Sequence, residues 1–359
     1  MAMAQAEQCC FLRTNTAEGC VTHLSELCAP EAGQRVVHLR SGLGGASAAL
    51  LAALAERGAG SAGAPSQSYW DAPGRERRCA VCLPEHGIVV LDAEPPWPLE
   101  AKLPGAGEEL VSLDQCRDNA ALRERREELR QLFTTRKNEQ ERAGRFLRAA
   151  RAMKRDMAFV AGETLDIAKI ERYASRFALR RLPAPTGHVG RESKRFMTAI
   201  TGQGLLLRRS VLNEVCTDTV VLEDEYGVAA PLLWNLVRAY ALGNGQDIIS
   251  CACLLFPDGE PEHLVIPGLG LACFTANRRH PISFEDAQRI QASRFFDKEA
   301  LREHRCRLSF CRRTMRELLA EAYQAQEAAD KARAAMDTVY ARALIPGAIE
   351  DLAERILKG

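Results

Sequence analysis

Seven residues in two short stretches have the types and spacing to hold a phosphate chain and its magnesium ion. Six stand in a glycine-rich turn, Arg40, Ser41, Gly42, Gly44, Gly45 and Ser47, inside VVHLRSGLGGASAALLAAL (36–54). The seventh, Asp92, closes the apolar run of GIVVLDAE (87–94). A turn that opens a helix points successive backbone N–H groups at an anion, and the helix dipole favours negative charge there. A hydroxyl in the first helical turn and an acidic residue at the end of a nearby strand can then hold Mg²⁺. The chemistry on offer is the binding of ATP or GTP with Mg²⁺.

The turn departs from a full phosphate loop, G-x-x-x-x-G-K-[ST], at its cation. If Ser41 takes the first-glycine position, Ala46 takes the second, Ser47 the lysine and Ala48 the hydroxyl. A one-residue deletion instead places Gly45 and Ala46 at Gly-Lys and keeps Ser47 as the hydroxyl. Neither register recovers a lysine, and none of the chain's eight lysines lies in a glycine-rich turn. Arg40 is the nearest cation, and it approaches from a different direction. Asp92 has an equal alternative as the cap of the following turn, APPWP.

Cysteine chemistry is the other candidate, at Cys79-x-x-Cys82 and Cys251-x-Cys253. Zinc needs four ligands, and no further pair with finger-like spacing accompanies either motif. His23, His86, His263, His304 and Cys306 could complete a site only through folding. Buried thiols acting as small apolar side chains are the simpler reading.

The elements that must position these residues occur twice. FLRTNTAEG (11–19) matches FMTAITGQG (196–204), and VVHLRSGLGGASAALL (36–51) matches TVVLEDEYGVAAPLL (219–233). PEHGIVVLDAE (84–94) pairs with PGLGLACFTAN (267–277), and ALRERREEL (121–129) with ALREHRCRL (300–308). Four matches in one order, at offsets near 180, indicate an internal duplication. The first copy is expected over 1–179 (core 1–116, helices 117–179). A linker follows at 180–194, and the second copy spans 195–359 (core 195–297, helices 298–359). The second turn, Glu223 to Pro231, has three carboxylates where a triphosphate would sit, and these repel it.

Buried strands alternating with helices predict α/β domains of three layers with mainly parallel sheets, each followed by a long helical hairpin. Apolar residues make up 47% of the 359 positions and charged residues 26%, the balance of a globular chain. A net charge of +1 gives no electrostatic reason for a nucleic-acid or membrane partner. The arginines after residue 117 interleave with glutamates, which suits solvated helix faces or a protein partner on the long helices. No apolar run is long enough to span a membrane. Thirteen cysteines behind a start that does not read as an export signal point to the cytoplasm.

These motifs resemble an uncharacterised bacterial group of tandem P-loop ATPase-like proteins. Its halves read roughly F-A-S-A-I-T-P-E-G, then G-G-P-G-T-G-K-S-T, then I-P-E-L-G-V-A-I-L-D-G-T-A-P-H. The first and third elements match FLRTNTAEG, FMTAITGQG, LPEHGIVVLDAEPPW and HLVIPGLGLACFTANRRH, and the likeness runs over nearly the whole chain. The middle element has lost its lysine. The resemblance implies two P-loop NTPase-like domains, with Gly42, Gly44 and Asp92 as direct matches. The expected function is non-catalytic: a regulatory or scaffolding pseudoenzyme with degenerate phosphate loops. The alternatives are a weak ATP or GTP binder acting through the first copy, and a zinc or thiol protein.

Overall fold

A computed structural model describes Met3, Ala6 and residues 10–358 apart from 30–31, 59–65, 72–76, 95–98, 208–211, 213–215 and 279. The chain is a mixed α/β protein. Its first part contains β1 (Phe11–Thr16), β2 (Gly19–Thr22), β3 (Arg35–Arg40), α1 (Ala46–Arg57), β4 (Gln67–Asp71), β5 (Arg77–Leu83), β6 (Ile88–Asp92) and β7 (Glu108–Ser112). Three helices follow: α2 (Asn119–Glu124), α3 (Arg126–Gly162) and α4 (Ile167–Arg181). The second part contains β8 (Glu192–Arg195), β9 (Thr198–Thr201), β10 (Gly204–Leu207), β11 (Asp218–Glu223), α5 (Ala229–Gly243), β12 (Ile248–Cys253), β13 (Phe256–Ile266), β14 (Leu271–Ala276) and β15 (Gln288–Gln291). It ends in α6 (Lys298–Glu303), α7 (Arg305–Arg342) and α8 (Ala348–Lys358).

The sheets are mixed, which corrects the expectation of mainly parallel ones. The first has the order β2-β1-β4-β5-β6-β3-β7, and the second β15-β11-β14-β13-β12-β8. β3 lies parallel to β6 and β7, as β11 does to β14 and β15. In the middle of each sheet β4, β5 and β6, or β12, β13 and β14, alternate in direction. The cause is loop length: these strands are joined by turns too short for the dozen or more residues of a parallel crossover. The two-stranded β9-β10 unit matches β1-β2 in sequence, although β8 takes the place of β1 at the sheet edge, and both carry the same Thr-to-Gly turn, Thr16 Oγ1 to Gly19 O and Thr201 Oγ1 to Gly204 O.

Among the described residues, helices cover one face of the first sheet, whereas the second has α5 and the long helices on one face and helical Ala6 and Leu212 against Val221, Ile249 and Phe274 on the other. In the first, Val37, Leu39 and Val90 pack with Leu50, Leu51 and Leu54 of α1 and Ile349, Leu352 and Ile356 of α8. Val36, Tyr69 and Val89 on the opposite face pack with Leu12, Cys79 and Leu91 and with Leu24 of a short 3-10 turn.

The long helices cross between the halves instead of folding back on their own sheets. A 37-residue helix extends about 55 Å, too far to return over the sheet it leaves. α3 and α7 run antiparallel, with Arg142 on Glu321 and Asp156 on Arg307. Beyond the crossing, Met157 and Val160 of α3 and Phe177 of α4 join the core of the second sheet around Trp234. α8 closes the first sheet in return through Ile349, Leu352, Ala353 and Ile356. Each buried α8 side chain contributes about 1.5–3 kcal/mol to that closure. Reciprocal hydrogen bonds mark the exchange: Phe11 and Phe196 each donate to the other's carbonyl, at 2.7 and 2.9 Å. Asp118 N–H to Ala343 O and Asp297 N–H to Thr164 O, both 2.8 Å, fasten the matching helix junctions. Between α4 and β8, residues 182–191 form the irregular segment of the expected linker. Among the described residues no helix is long and apolar enough to cross a membrane.

Candidate functional site

The glycine turn sits between buried β3 and the start of α1, with Asp92 beside it at the end of β6. Its backbone is left-handed at Ser41 (φ 60°), Gly44 (74°) and Gly45 (76°), a region that glycine enters without a steric penalty. A Cβ on Gly42 would stand 2.5 Å from Ser47 Oγ and 3.3 Å from Asp92 Oδ1. The absence of a side chain there lets the turn, the first helical hydroxyl and the strand-end carboxylate converge. Gly42, Ser47 and Asp92 therefore lie together.

The anion that the turn grips belongs to the protein. Gly44 N–H donates to Asp337 Oδ1 of α7 at 2.8 Å. α7 rides so close that a Cβ on Gly44 would lie 2.6 Å from Tyr340 Cβ and 2.7 Å from the Ala341 nitrogen. An arginine from β5 takes the cation's place: Arg77 donates to Ser47 Oγ at 3.0 Å and to Gly42 O at 3.3 Å. The same guanidinium lies 3.7 Å from Asp92 and 3.9 Å from Asp337. Arg117 donates to the carbonyls of Ser41 and Leu43 and fixes the turn from outside.

Asp92 is committed as well. Arg13, buried in β1, donates to its carboxylate at 2.8 Å and its carbonyl at 2.7 Å, and also to Asp71 at 2.9 Å. Burial opposes the charge on Asp92, but Arg13 and then Arg77 overcome it and hold the carboxyl below its ordinary range. Its second oxygen, Oδ1, has no hydrogen-bond partner among the described residues. Neighbouring Glu94 is pushed upward by burial and by Asp92, while Arg333 of α7 counters from 3.5 Å. Arg40 and Ser41 point elsewhere. Arg40 donates to the carbonyls of Ala93 and Leu99, and Ser41 Oγ to Asp114, so neither faces the turn's amides.

The second turn follows the first without a gap, Gly227 (φ 71°) falling where Gly44 stands and Ala229 opening α5 as Ala46 opens α1. Its anion is its own Asp224, at the position of Ser41. One carboxylate oxygen accepts from the N–H groups of Tyr226 (3.1 Å) and Gly227 (3.0 Å), and the other from Ala230 (2.9 Å). Burial pushes this carboxyl upward, against the three amides. Lys154 of α3 reaches toward Gly227 and is held by Glu262 at 3.1 Å and Cys253 Sγ at 3.0 Å. Thr275, in the place of Asp92, accepts from Trp234 Nε1 and donates to Glu262 O.

The sequence reading missed Arg13, Arg77, Arg117, Arg333 and Asp337. Arg13 alone had a local signal, a charge within the otherwise inward-facing run of FLRTNT. Cys79 and Cys82 lie on β5 of the first sheet, whereas Cys251 and Cys253 lie on β12, the counterpart of β4. The two motifs thus occupy different sheets and non-equivalent strands. Among the described residues no three His, Cys, Asp or Glu side chains group as a metal site. Compared with protein families, with characterised proteins and with solved structures, the chain matches none.

Proposed function

We propose that this chain is a tandem P-loop NTPase-like protein whose phosphate loops are both closed by its own carboxylates. It works without catalysis, as a regulatory or scaffolding component. The observation that carries this reading is the hydrogen bond from Gly44 N–H to Asp337, matched in the second turn by Asp224 on three amides. An amide already bound to a buried or half-buried carboxylate has no free N–H for a phosphate oxygen, and the carboxylate repels the phosphate. The recurrence of the strand order around β3 and β11 supports an origin by duplication. Exposed Phe133 and Phe159 on α3 and Phe310 on α7 support a protein partner on the long helices.

The competing activity, ATP or GTP held with Mg²⁺ in the first turn, requires Asp337 to leave Gly44 and Arg77 to leave Ser47. Thermal unfolding of the full chain with millimolar Mg-ATP and Mg-GTP separates the two, because a ligand that binds only the folded state raises its stability. The proposal expects no shift and no phosphate release. A shift together with turnover that is lost in Asp92→Asn overturns it.

A further inference from the structure

We propose that the cavity between β1, β5 and the crossing long helices binds a small phosphate monoester, with Arg136 of α3 as its principal donor. The cavity has a volume of about 300 Å³, and Asn15, Arg77, Arg136, Gln326, Asp330 and Arg333 face it. Arg136 is only 8% exposed, yet among the described residues its side chain makes no hydrogen bond and no ion pair. Burial and then Arg333 work against its charge, and Glu94 and Asp337 attract it only from a distance. Arg13 is the contrast: it is as deeply buried, and two carboxylates and a carbonyl receive it. A buried guanidinium without an acceptor is costly to keep unless something else supplies one.

The carboxylates around the cavity are already occupied. Asp71 faces Arg13, Asp337 accepts from Gly44, and Glu327 pairs with Lys331 at 2.7 Å. Asp330 accepts from Gln326 at 2.9 Å, and burial pushes its carboxyl up to about 6. It is therefore the acid here most readily discharged when an anion enters. Arg136 offers a planar fork that matches phosphate oxygens, and Arg77 and Arg333, engaged with Ser47, Glu94 and Asp337, add positive charge beside it. The volume exceeds that of bare phosphate and stands at the lower end of ligand pockets, which favours an ester with a small polar body. Arg136 lies on α3 and takes no part in the glycine turn, so its role is separate from that turn, whereas Arg77 faces both.

The test is calorimetric titration and thermal unfolding of the full chain with inorganic phosphate and with glycerol 3-phosphate. Sodium chloride of equal ionic strength is the control. Both phosphates should stabilise the wild type beyond the salt control, the monoester more strongly. Arg136→Gln should weaken binding by about tenfold or more, the value of one charge-assisted hydrogen bond. Without ligand the same variant should melt above wild type, because an uncompensated buried charge is gone; an arginine with a merely structural role would lower it. Asp337→Ala should still bind. The assignment is overturned if neither phosphate stabilises the wild type, or if Arg136→Gln binds as wild type or melts below it. It is equally overturned if the response survives Arg136→Gln and is seen only as the gain that Asp337→Ala gives by freeing the Gly44 amide, which would place the anion on the glycine turn. None of these outcomes depends on Mg-ATP, so failure here and failure of the non-catalytic reading are distinguishable.

Discussion

Replacing Asp337 by alanine removes the carboxylate from the first turn and leaves the backbone in place. The Gly44 N–H loses a charged acceptor at 2.8 Å, and Arg333 and Arg77 lose partners at 3.3 and 3.9 Å. A hydrogen bond to a charged group contributes about 1.5–3 kcal/mol. The Asp337 side chain is 26% exposed, so solvent screening reduces the net loss to about 1–2 kcal/mol. Unfolding entropy of about 2.1 cal/mol/K per residue over 359 residues converts this to a melting point lower by about 1–3 °C. Asp337→Asn keeps an acceptor oxygen and should lose about half as much. The emptied amide beside Arg77 should also give Asp337→Ala a stabilising response to sulfate that exceeds wild type. Differential scanning calorimetry with and without sulfate reads both effects. If Asp337→Ala melts with wild type, or if its sulfate response is unchanged, the carboxylate does not fill the turn and the reasoning fails.

In the second turn, Asp224→Ala strands one buried and two half-buried N–H donors and should cost about 2–3 kcal/mol, read as an earlier urea midpoint by circular dichroism. Gly44→Ala and Gly45→Ala share a left-handed φ, but only the first drives a Cβ into the α7 backbone. Chemical denaturation should show a loss of about 2–4 kcal/mol for Gly44→Ala against about 1 kcal/mol for Gly45→Ala. The Asp330 carboxyl lies at about 6 when folded and 3.8 ordinarily, so the folded chain binds this proton more tightly. Its contribution should make stability rise as pH falls from above 6 toward 4, and Asp330→Asn should flatten that segment of the profile. Asp92 acts in the opposite sense at lower pH. Its depressed carboxyl contributes stability above 3.8 that is lost as pH falls through the folded value, and Asp92→Asn should remove that acid limb.

The turn and its immediate partners were legible because they are local. A β-branched run, glycines at left-handed positions and an alanine-rich helix place Gly42 and Ser47, and a neighbouring apolar strand places Asp92. The long helices were also legible, since α2 with α3 and α6 with α7 keep an apolar stripe over the expected ranges. Strand direction was not. β4 and β5 carry Gln67, Ser68, Arg77 and Arg78 near their ends, and such polar flanks hid an antiparallel pair between the two recognised buried strands. What fills the turns was hidden for another reason. Asp337 is nearly 300 residues from Gly44, and nothing in the spacing of an exposed-looking DKARAAMD selects that one carboxylate. The crossing of the helices is a third case. When a chain holds two similar sheets, an apolar helix face fits either, and only the length of α3 favours the far one.

The exchanged helices also set an order of events during synthesis. The first sheet is complete once β7 has left the ribosome, but the part of its apolar face that α1 does not cover stays open until α8 follows, about 240 residues later. At about 5–20 residues per second, that face waits roughly 12–50 seconds for its lid. The second sheet suffers no such delay, because α3 and α4 are made before it. A ribosome that stops early therefore releases a chain whose second half can close and whose first half cannot, with Val37, Leu39, Leu50 and Leu54 left to find a chaperone or a neighbouring chain.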